Sequence, residues 1–201
     1  DIQCAATTVE TWIVWNANGV ATTQIFQLDK SYGADGMVVK PGINSIKDLK
    51  GKKVAYTAGS LEAPFIDAFL AHGKLRRDDL ELINVDAAGK ASTYAVGRAD
   101  AAFSTIPFFL PVVSQSRASH AVRFADYGLH MPGFGLFASE SKLAQRGEVL
   151  GRFAGVVAAA WEYIYAGHQD EAVAAILAAR PQARLNADVL RGQIDALRDY
   201  F

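Results

Sequence analysis

The chain has 201 residues and a formal net charge of −1; 51% of its residues are hydrophobic and 20% are charged. This composition is typical of a globular protein, and the length fits one large domain or two lobes of about 100 residues each. Because nucleic acids and anionic membranes select proteins with a basic excess, the balanced charge disfavours both as partners. The single cysteine, Cys4, excludes an internal disulfide.

Strand-like and helix-like segments alternate along the chain, which predicts an α/β fold. In the first 40 residues we predict a strand, a helix and two further strands, over residues 2–6, 9–17, 21–28 and 36–39. Thr7 and Thr8 are candidate N-caps for the helix. Pro41-Gly42 then interrupts the pattern.

The middle of the chain continues the alternation with short connections. We predict strands over residues 52–57, 80–85, 100–104 and 121–124, and helices over 61–71, 90–96 and 106–113. Beyond Gly133 a single strand over 134–138 is followed by helical patterns over 148–166, 171–179 and 186–197. The central block therefore alternates strands and helices, whereas the end of the chain is mainly helical.

These patterns predict two lobes. Residues 41–130 form the second lobe, and residues 1–40 together with 131–201 form the first, so that the chain crosses between lobes near residues 39–41 and 130–132. Because the chain opens on a strand-like segment, we also expect the first lobe to be incomplete. No apolar stretch reaches the roughly 18 residues that span a bilayer.

Catalytic motifs are missing from the sequence. It contains no GxSxG, HExxH, CxxC or P-loop pattern, and its four histidines lie far apart. Cys4 falls in a predicted strand, where a small core residue is expected. We therefore predict no catalytic residues, no metal, no cofactor and no enzymatic activity.

A strand followed by small polar residues and a helix recurs three times, at Thr7-Thr8, at residues 57–61 and at Ser104-Thr105. Helix starts beyond the carboxyl ends of strands are where open α/β sheets bind ligands, and their N–H groups favour anions. One such site alone would predict only a capped helix. Three of them predict a shared cleft, in which Trp12 is a candidate for stacking on the ligand.

Five sequence runs resemble the ABC-transporter substrate-binding proteins of the nitrate/sulfonate/taurine group and the related binders of thiamine pyrimidine precursors. The runs are residues 1–8, 35–39, 43–55, 59–60 and 97–102. The resemblance covers nearly the whole chain and implies a bilobed periplasmic-binding-protein type II fold, α/β in both lobes. Within it Ser45 caps a short helix of the scaffold, away from the ligand.

The resemblance also implies site residues. It puts Thr7 and Thr8 at the first-lobe wall, and Gln27, Asp29 and His130 near the cleft floor. The second-lobe loops would contribute Gly59, Ser60, Glu62, Ser104 and Thr105. Members of the group carry a further strand, helix and strand ahead of the segment seen here, which would supply additional contacts.

The expected function is a solute receptor that closes its lobes on a small molecule and delivers it to the membrane subunits of an ABC importer. We expect a monomer, located in the periplasm or lipid-anchored outside the cytoplasmic membrane, and either an anionic ligand or a pyrimidine precursor. Two alternatives share the architecture: a ligand-sensing regulatory domain, and a pyrimidine-forming synthase, which usually carries a cysteine-rich motif. A secretion signal encoded upstream would favour the receptor, and a helix-turn-helix the regulator.

Overall fold

Strands and helices alternate through residues 2–58 and 65–200, which are the residues that the computed structural model describes. The strands are β1 (Ala5–Thr8), β2 (Thr22–Gln27), β3 (Asp35–Val39), β4 (Lys53–Tyr56), β5 (Glu81–Asn84), β6 (Ala101–Thr105), β7 (His120–Arg123) and β8 (Phe134–Ser139). The helices are α1 (Val9–Ala17), α2 (Ile66–His72), α3 (Ala87–Ala95), α4 (Ile106–Val113), α5 (Glu140–Tyr165), α6 (Gln169–Ala179) and α7 (Ala187–Tyr200). The predicted α/β class is confirmed.

The chain divides into two compact units. The first comprises residues 1–30 and 132–195, and the second comprises residues 31–131 and 196–201. Sequence analysis assigned residues 31–40 to the first lobe, whereas β3 belongs to the sheet of the second unit. The apolar pattern of β3 identifies a buried strand but not its partners, which lie more than 60 residues further along the chain.

The first unit is built on an antiparallel three-stranded sheet in the order β1-β8-β2. The central strand β8 is largely buried, and Trp12 of α1 stacks on its Phe137 with ring centroids 5.2 Å apart. Trp12 also donates from Nε1 to the carbonyl of Thr22, at 3.3 Å. Because β8 runs against both neighbours, the carboxyl ends of β1 and β2 lie at the edge where β8 begins.

Helix α5 begins eight residues earlier than the sequence pattern predicts. Ser139 is its N-cap and accepts a hydrogen bond from the backbone N–H of Lys142 at 3.3 Å. The first turns expose polar residues and show no apolar periodicity, and Arg146 interrupts the helix with φ −138° and ψ 25°. The apolar pattern therefore predicts only the second part of α5, where Leu150 and Ala154 are buried.

The second unit is built on a mixed five-stranded sheet in the order β5-β4-β6-β3-β7. Strand β4 is parallel to β5 and β6, whereas β3 is antiparallel to β6 and β7. One face packs against α2 through a cluster that includes Met37, Phe69 and Phe103. The other face packs against α3 and α4 through Tyr94 and Phe109. The carboxyl ends of β4, β5 and β6 thus share one edge with the start of β3.

Asp100 joins three strands at the opposite edge of this sheet. Its carboxylate pairs with the ammonium of Lys40, just after β3, and accepts from the backbone N–H of Lys53 at 3.0 Å. Burial of the carboxyl opposes ionisation, but the hydrogen bonds from Lys40 and Lys53 outweigh it and hold the pKa of Asp100 below its ordinary value of 3.8. The ionised side chain therefore stabilises the sheet.

In the first unit, Gln27 and Asp29 hold the segment that leads into β8. The Gln27 side-chain amide donates to the carbonyls of Pro132, at 3.0 Å, and Phe134, at 3.2 Å. One carboxylate oxygen of Asp29 accepts from the backbone N–H of Phe134 at 2.8 Å. Gly133 lies between these contacts with φ +96°, and a Cβ there would stand 2.2 Å from the Asp29 carboxylate. Glycine is therefore required at this position.

Replacing Asp100 with asparagine should lower the free energy of unfolding at pH 7 by about 1–2 kcal/mol, since an ion pair and a charged hydrogen bond are lost. The pKa of Asp100 is lower in the folded state, so its stabilisation is present above about pH 4 and is lost as the pH falls through the folded value. Urea unfolding at pH 7, 4 and 2.5 should show the wild type and Asp100→Asn converging in acid. The exposed Asp78→Asn control should change stability by less than about 0.5 kcal/mol. A difference that persists undiminished in acid would contradict the assignment.

Replacing Gly133 with alanine should lower the free energy of unfolding by about 2–4 kcal/mol, because backbone strain at positive φ adds to a collision with Asp29. Gly167 also has a positive φ, +116°, but a Cβ there meets nothing within 4 Å. Gly167→Ala should therefore cost only about 1–2 kcal/mol. Thermal and urea unfolding of both variants measure the difference. Equal losses would mean that the contact with Asp29 does not constrain Gly133.

Candidate ligand-binding site

Two hydroxyl side chains lie side by side at the carboxyl edge of the five-stranded sheet. Ala55 of β4 and Ala102 of β6 are register partners on one face, and Thr57 and Ser104 each follow two residues later. Because strand side chains alternate, Thr57 and Ser104 belong to this same face. Ser104 is buried, and the Thr57 hydroxyl is buried with no hydrogen-bond partner among the described residues.

A buried lysine lies on the same face of the sheet. Lys90 is 5% exposed and, with Tyr94, forms the buried side of α3. Helix α3 begins directly after β5, and its N-cap Asp86 accepts from the backbone N–H of Gly89 at 2.6 Å. Helical side chains lean towards the helix N-terminus, which carries the Lys90 amine towards the carboxyl edge. A lysine amine near this edge is a group that can donate charge-assisted hydrogen bonds to an oxyanion.

A network of hydroxyls and a carboxylate surrounds the start of β3. Asp35, which is 5% exposed, accepts hydrogen bonds from the hydroxyls of Ser31, at 3.0 Å, and Thr105, at 3.1 Å. The Thr105 hydroxyl donates its hydrogen to Asp35, so it can act only as a hydrogen-bond acceptor towards a ligand. Thr105 also occupies the N-cap position of α4 without a side-chain cap bond.

The predicted residues of the first unit gather where β1 and β2 end and β8 begins. Thr8 is buried and its hydroxyl caps α1 by accepting from the backbone N–H of Thr11 at 3.3 Å. The N–H of Val9 donates to the carbonyl of Gly133 at 3.1 Å, beside the contacts of Gln27 and Asp29. Thr7 pairs with Gly135 in the sheet and is half-buried.

Several residues that the sequence predicted as ligand contacts make local packing and hydrogen-bond contacts in the structure. Trp12 is engaged by Phe137 and the Thr22 carbonyl, and the polar groups of Gln27 and Asp29 hold the entry to β8. His130 is exposed in the segment between β7 and β8. Cys4 is half-buried and precedes β1, so its prediction as a strand residue of the core is wrong. Gly59, Ser60 and Glu62 lie outside the described residues.

Sequence reasoning missed Lys90, and it treated Thr57 only as the start of a turn. A usable signal for Lys90 was present: it lies one helical turn before the aromatic Tyr94, on the same side of α3. For Thr57 the signal was weaker, because only the parallel register of β4 and β6 aligns it with Ser104. Lysine on a buried helix face is thus the more informative clue.

The histidines serve local contacts. His120 is hydrogen-bonded through Nε2 to the carbonyl of Ile43 at 2.8 Å, His168 pairs with Glu171, and the His72 ring lies against Tyr127. Among residues 2–58 and 65–200, no three His, Cys, Asp or Glu side chains are placed to share a metal ion. Over the same residues, no helix combines the length and apolar character that crossing a membrane requires.

Solved structures with this fold include binding proteins and an enzyme. The periplasmic aliphatic sulphonate binding protein SsuA from Escherichia coli is 18% identical with a TM-score of 0.79, over 97% of this chain and 66% of that one. The periplasmic nitrate-binding protein NrtA from Synechocystis PCC 6803 is 18% identical with a TM-score of 0.66, over 94% and 54%. The desulfurization enzyme DszB is 18% identical with a TM-score of 0.63, over 96% and 69%.

These similarities confirm the periplasmic-binding-protein fold predicted from the sequence. The chain spans 66% of the sulphonate-binding protein and 54% of the nitrate-binding protein. No curated protein matches the sequence significantly. The model of the NMT1/THI5-like family matches residues 9–172, which is well over half of the chain. The chain therefore belongs to the NMT1/THI5-like family, as the motif runs predicted.

Proposed function

We propose that this protein is the solute-binding component of an ABC importer and that its solute carries an oxyanion group. The observation that carries the proposal is the grouping of Thr57, Ser104 and the buried Lys90 at the carboxyl edge of one sheet. Open α/β sheets bind ligands at this edge. The net charge of the chain is only −1, so a preference for anions must come from local groups such as these.

The buried Thr57 hydroxyl has no hydrogen-bond partner among residues 2–58 and 65–200. A buried hydroxyl without a partner costs about 1–3 kcal/mol, which a ligand that accepts its hydrogen bond would recover. An oxyanion offers several acceptor sites, and its bonds to hydroxyl and ammonium groups are charge-assisted. A neutral solute could satisfy the hydroxyl but would make no charge-assisted hydrogen bonds.

The residues that follow Thr57 extend the proposed site. Gly59, Ser60 and Glu62 follow β4 in the sequence, and they stay proposed contacts on the strength of the resemblance alone. Ser104 and Thr105 stay proposed contacts at the end of β6, but Thr105 ranks below Ser104 because its hydroxyl donates to Asp35 and cannot also donate to an oxyanion. In the first unit, Thr7 is a proposed contact because its side chain makes no hydrogen bond to the described residues. The remaining proposed contacts, Thr8, Trp12, Gln27, Asp29 and His130, rank below it.

A binding role is favoured over catalysis of the DszB kind by the chemistry of this edge. Its described side chains are hydroxyls, a carboxylate that accepts two of them, and a lysine. The cysteine lies in the other unit, and three histidines are engaged elsewhere. We accordingly propose the receptor over a synthase or a sensing domain. We further propose delivery to ABC membrane subunits outside the cytoplasm, as a monomer.

Substitution of Thr57 by valine should separate a ligand contact from a structural role. Valine keeps the shape and removes the unpaired hydroxyl, so the free energy of unfolding without ligand should rise by about 1 kcal/mol. Loss of a hydrogen bond to an anion should at the same time weaken binding roughly tenfold to hundredfold. Urea unfolding and calorimetric titration with nitrate and methanesulfonate measure the two effects. Ser104→Ala and Lys90→Met should weaken the same binding.

Matched controls lie in the scaffold of the same unit. Ser45 hydrogen-bonds to Asp48 at 3.0 Å within a short 3-10 helix, and Lys50 is exposed beside it. Ser45→Ala should lower stability by about 0.5–2 kcal/mol and leave affinity unchanged. Lys50→Met should change neither. If Thr57→Val, Ser104→Ala and Lys90→Met bind both anions as tightly as wild type, the proposed site is wrong.

A further inference from the structure

We infer that one edge of the five-stranded sheet binds the surface of a membrane that contains anionic phospholipids. This is the edge at which β4, β5 and β6 begin and β3 ends. We call it the amino edge, and it lies opposite to the proposed ligand site. The inference goes beyond the proposed function and is carried by the unpaired basic side chains that the second unit concentrates there. The net charge of −1 conceals this concentration, because acidic residues elsewhere balance it.

Six basic side chains without an ion-pair partner belong to the segments that lead into the strands at the amino edge. The six are Lys47, Lys50, Lys52, Lys74, Arg76 and Arg98. Lys52 is half-buried and the other five are exposed. None of them forms an ion pair with a residue that the structure describes. Their charges are therefore available to an external partner.

Backbone contacts bring the entries of the three parallel strands together. The N–H of Gly51 donates to the carbonyl of Asp79 at 2.7 Å, which joins the turn before β4 to the turn before β5. The N–H of Asp100 donates to the carbonyl of Lys53 at 2.7 Å, which joins the starts of β6 and β4. The basic residues of these turns thus belong to one continuous edge.

The end of α2 lies against the short 3-10 helix that precedes β4. A Cβ added to Gly73 would stand 2.5 Å from a side-chain carbon of Ile46, so the two backbones approach closely there. Lys74 directly follows Gly73, and Lys47 directly follows Ile46. These two lysines consequently start from neighbouring points on the same surface.

The acidic side chains near the amino edge do not balance the unpaired basic ones. Three carboxylates are paired with basic residues and leave no net charge: Asp67 with Arg77, Glu81 with Lys53, and Asp100 with Lys40. Three further carboxylates remain, which are those of Asp48, Asp78 and Asp79. Against the six unpaired basic residues, they leave an excess of three positive charges on this edge. Such a local excess attracts a polyanionic surface whatever the net charge of the chain.

The composition of the amino edge favours a lipid surface over a nucleic acid. Proteins bind single-stranded nucleic acids by stacking bases on aromatic rings, and residues 40–53, 73–81 and 96–100 include no phenylalanine, tyrosine or tryptophan. Val96 is 69% exposed and lies two residues before Arg98, so an apolar side chain accompanies the basic groups. Basic side chains beside exposed apolar groups are the combination by which peripheral proteins bind anionic bilayers.

The test is binding of the purified protein to lipid vesicles at low ionic strength, measured by co-sedimentation. Vesicles of phosphatidylcholine alone are compared with vesicles of equal parts phosphatidylglycerol and phosphatidylcholine. Wild type should bind the anionic vesicles at least about tenfold more tightly than the neutral ones, and added salt should weaken this binding. Equal binding to both kinds of vesicle, or binding to neither, would overturn the inference.

Charge reversal locates the surface that is responsible. The double variant Lys50→Glu, Arg76→Glu should weaken binding to the anionic vesicles at least about tenfold. The matched control Arg180→Glu, Arg184→Glu makes the same change in net charge on exposed side chains of the first unit and should weaken binding by less than about threefold. Circular dichroism verifies that both variants fold, and the milder Lys50→Gln, Arg76→Gln variant should still weaken binding about threefold. Equal losses in the two charge-reversal variants would mean that overall charge, and not the amino edge, binds the lipid.

Soluble polyglutamate distinguishes a lipid surface from an acidic polypeptide. If wild type binds polyglutamate through Lys50 and Arg76 but does not bind the anionic vesicles, the partner is a polypeptide and the inference is overturned. Titration of the Lys50→Glu, Arg76→Glu variant with methanesulfonate should match wild type, because both residues lie away from the proposed ligand site. Failure of the vesicle experiment therefore leaves the proposed function standing, and failure of the anion titration leaves this inference standing.

Discussion

The position of β3 is the constraint on which the second unit depends. All five of its residues are buried, and it is hydrogen-bonded on both sides, antiparallel to β6 and to β7. Each end is fixed by a carboxylate: Asp35 accepts the hydroxyls of Ser31 and Thr105, and Lys40 after the strand pairs with Asp100. Because β3 runs against β6, its buried start lies where the parallel strands end, and it closes the edge at which we propose the ligand binds.

That edge combines two kinds of group that a core would otherwise avoid. Thr57 has a buried hydroxyl without a partner among the described residues, and Lys90 brings an amine into a face shared with Tyr94 and Phe109. The unpaired hydroxyl costs folding free energy, which a bound oxyanion that accepts its hydrogen bond would recover. Proteins accept such local costs at functional sites, while the apolar clusters on both faces of the sheet supply the stability.

The sequence predicted the α/β class, most element positions and the family, because strand and helix periodicities and the 43–55 run are local signals. It could not predict that β3 pairs with β6, since a short buried strand such as β3 would fit into either sheet. Residue types alone also could not distinguish hydroxyls that are available to a ligand from hydroxyls that already form hydrogen bonds within the protein. Thr8 caps α1 and Thr105 donates to Asp35, whereas Thr57 is aligned with Ser104 only by the register of β4 with β6.

The central claim is that a small oxyanion binds at the carboxyl edge of the five-stranded sheet. Its most direct test is to follow the backbone amide resonances of the isotopically labelled protein while methanesulfonate is added. The account predicts saturable shifts concentrated at residues 57–58, at Lys90 and at residues 104–106, with the opposite edge around Lys53 and Asp100 unchanged. Shifts confined to that opposite edge, or no saturable shift at any concentration, would contradict it.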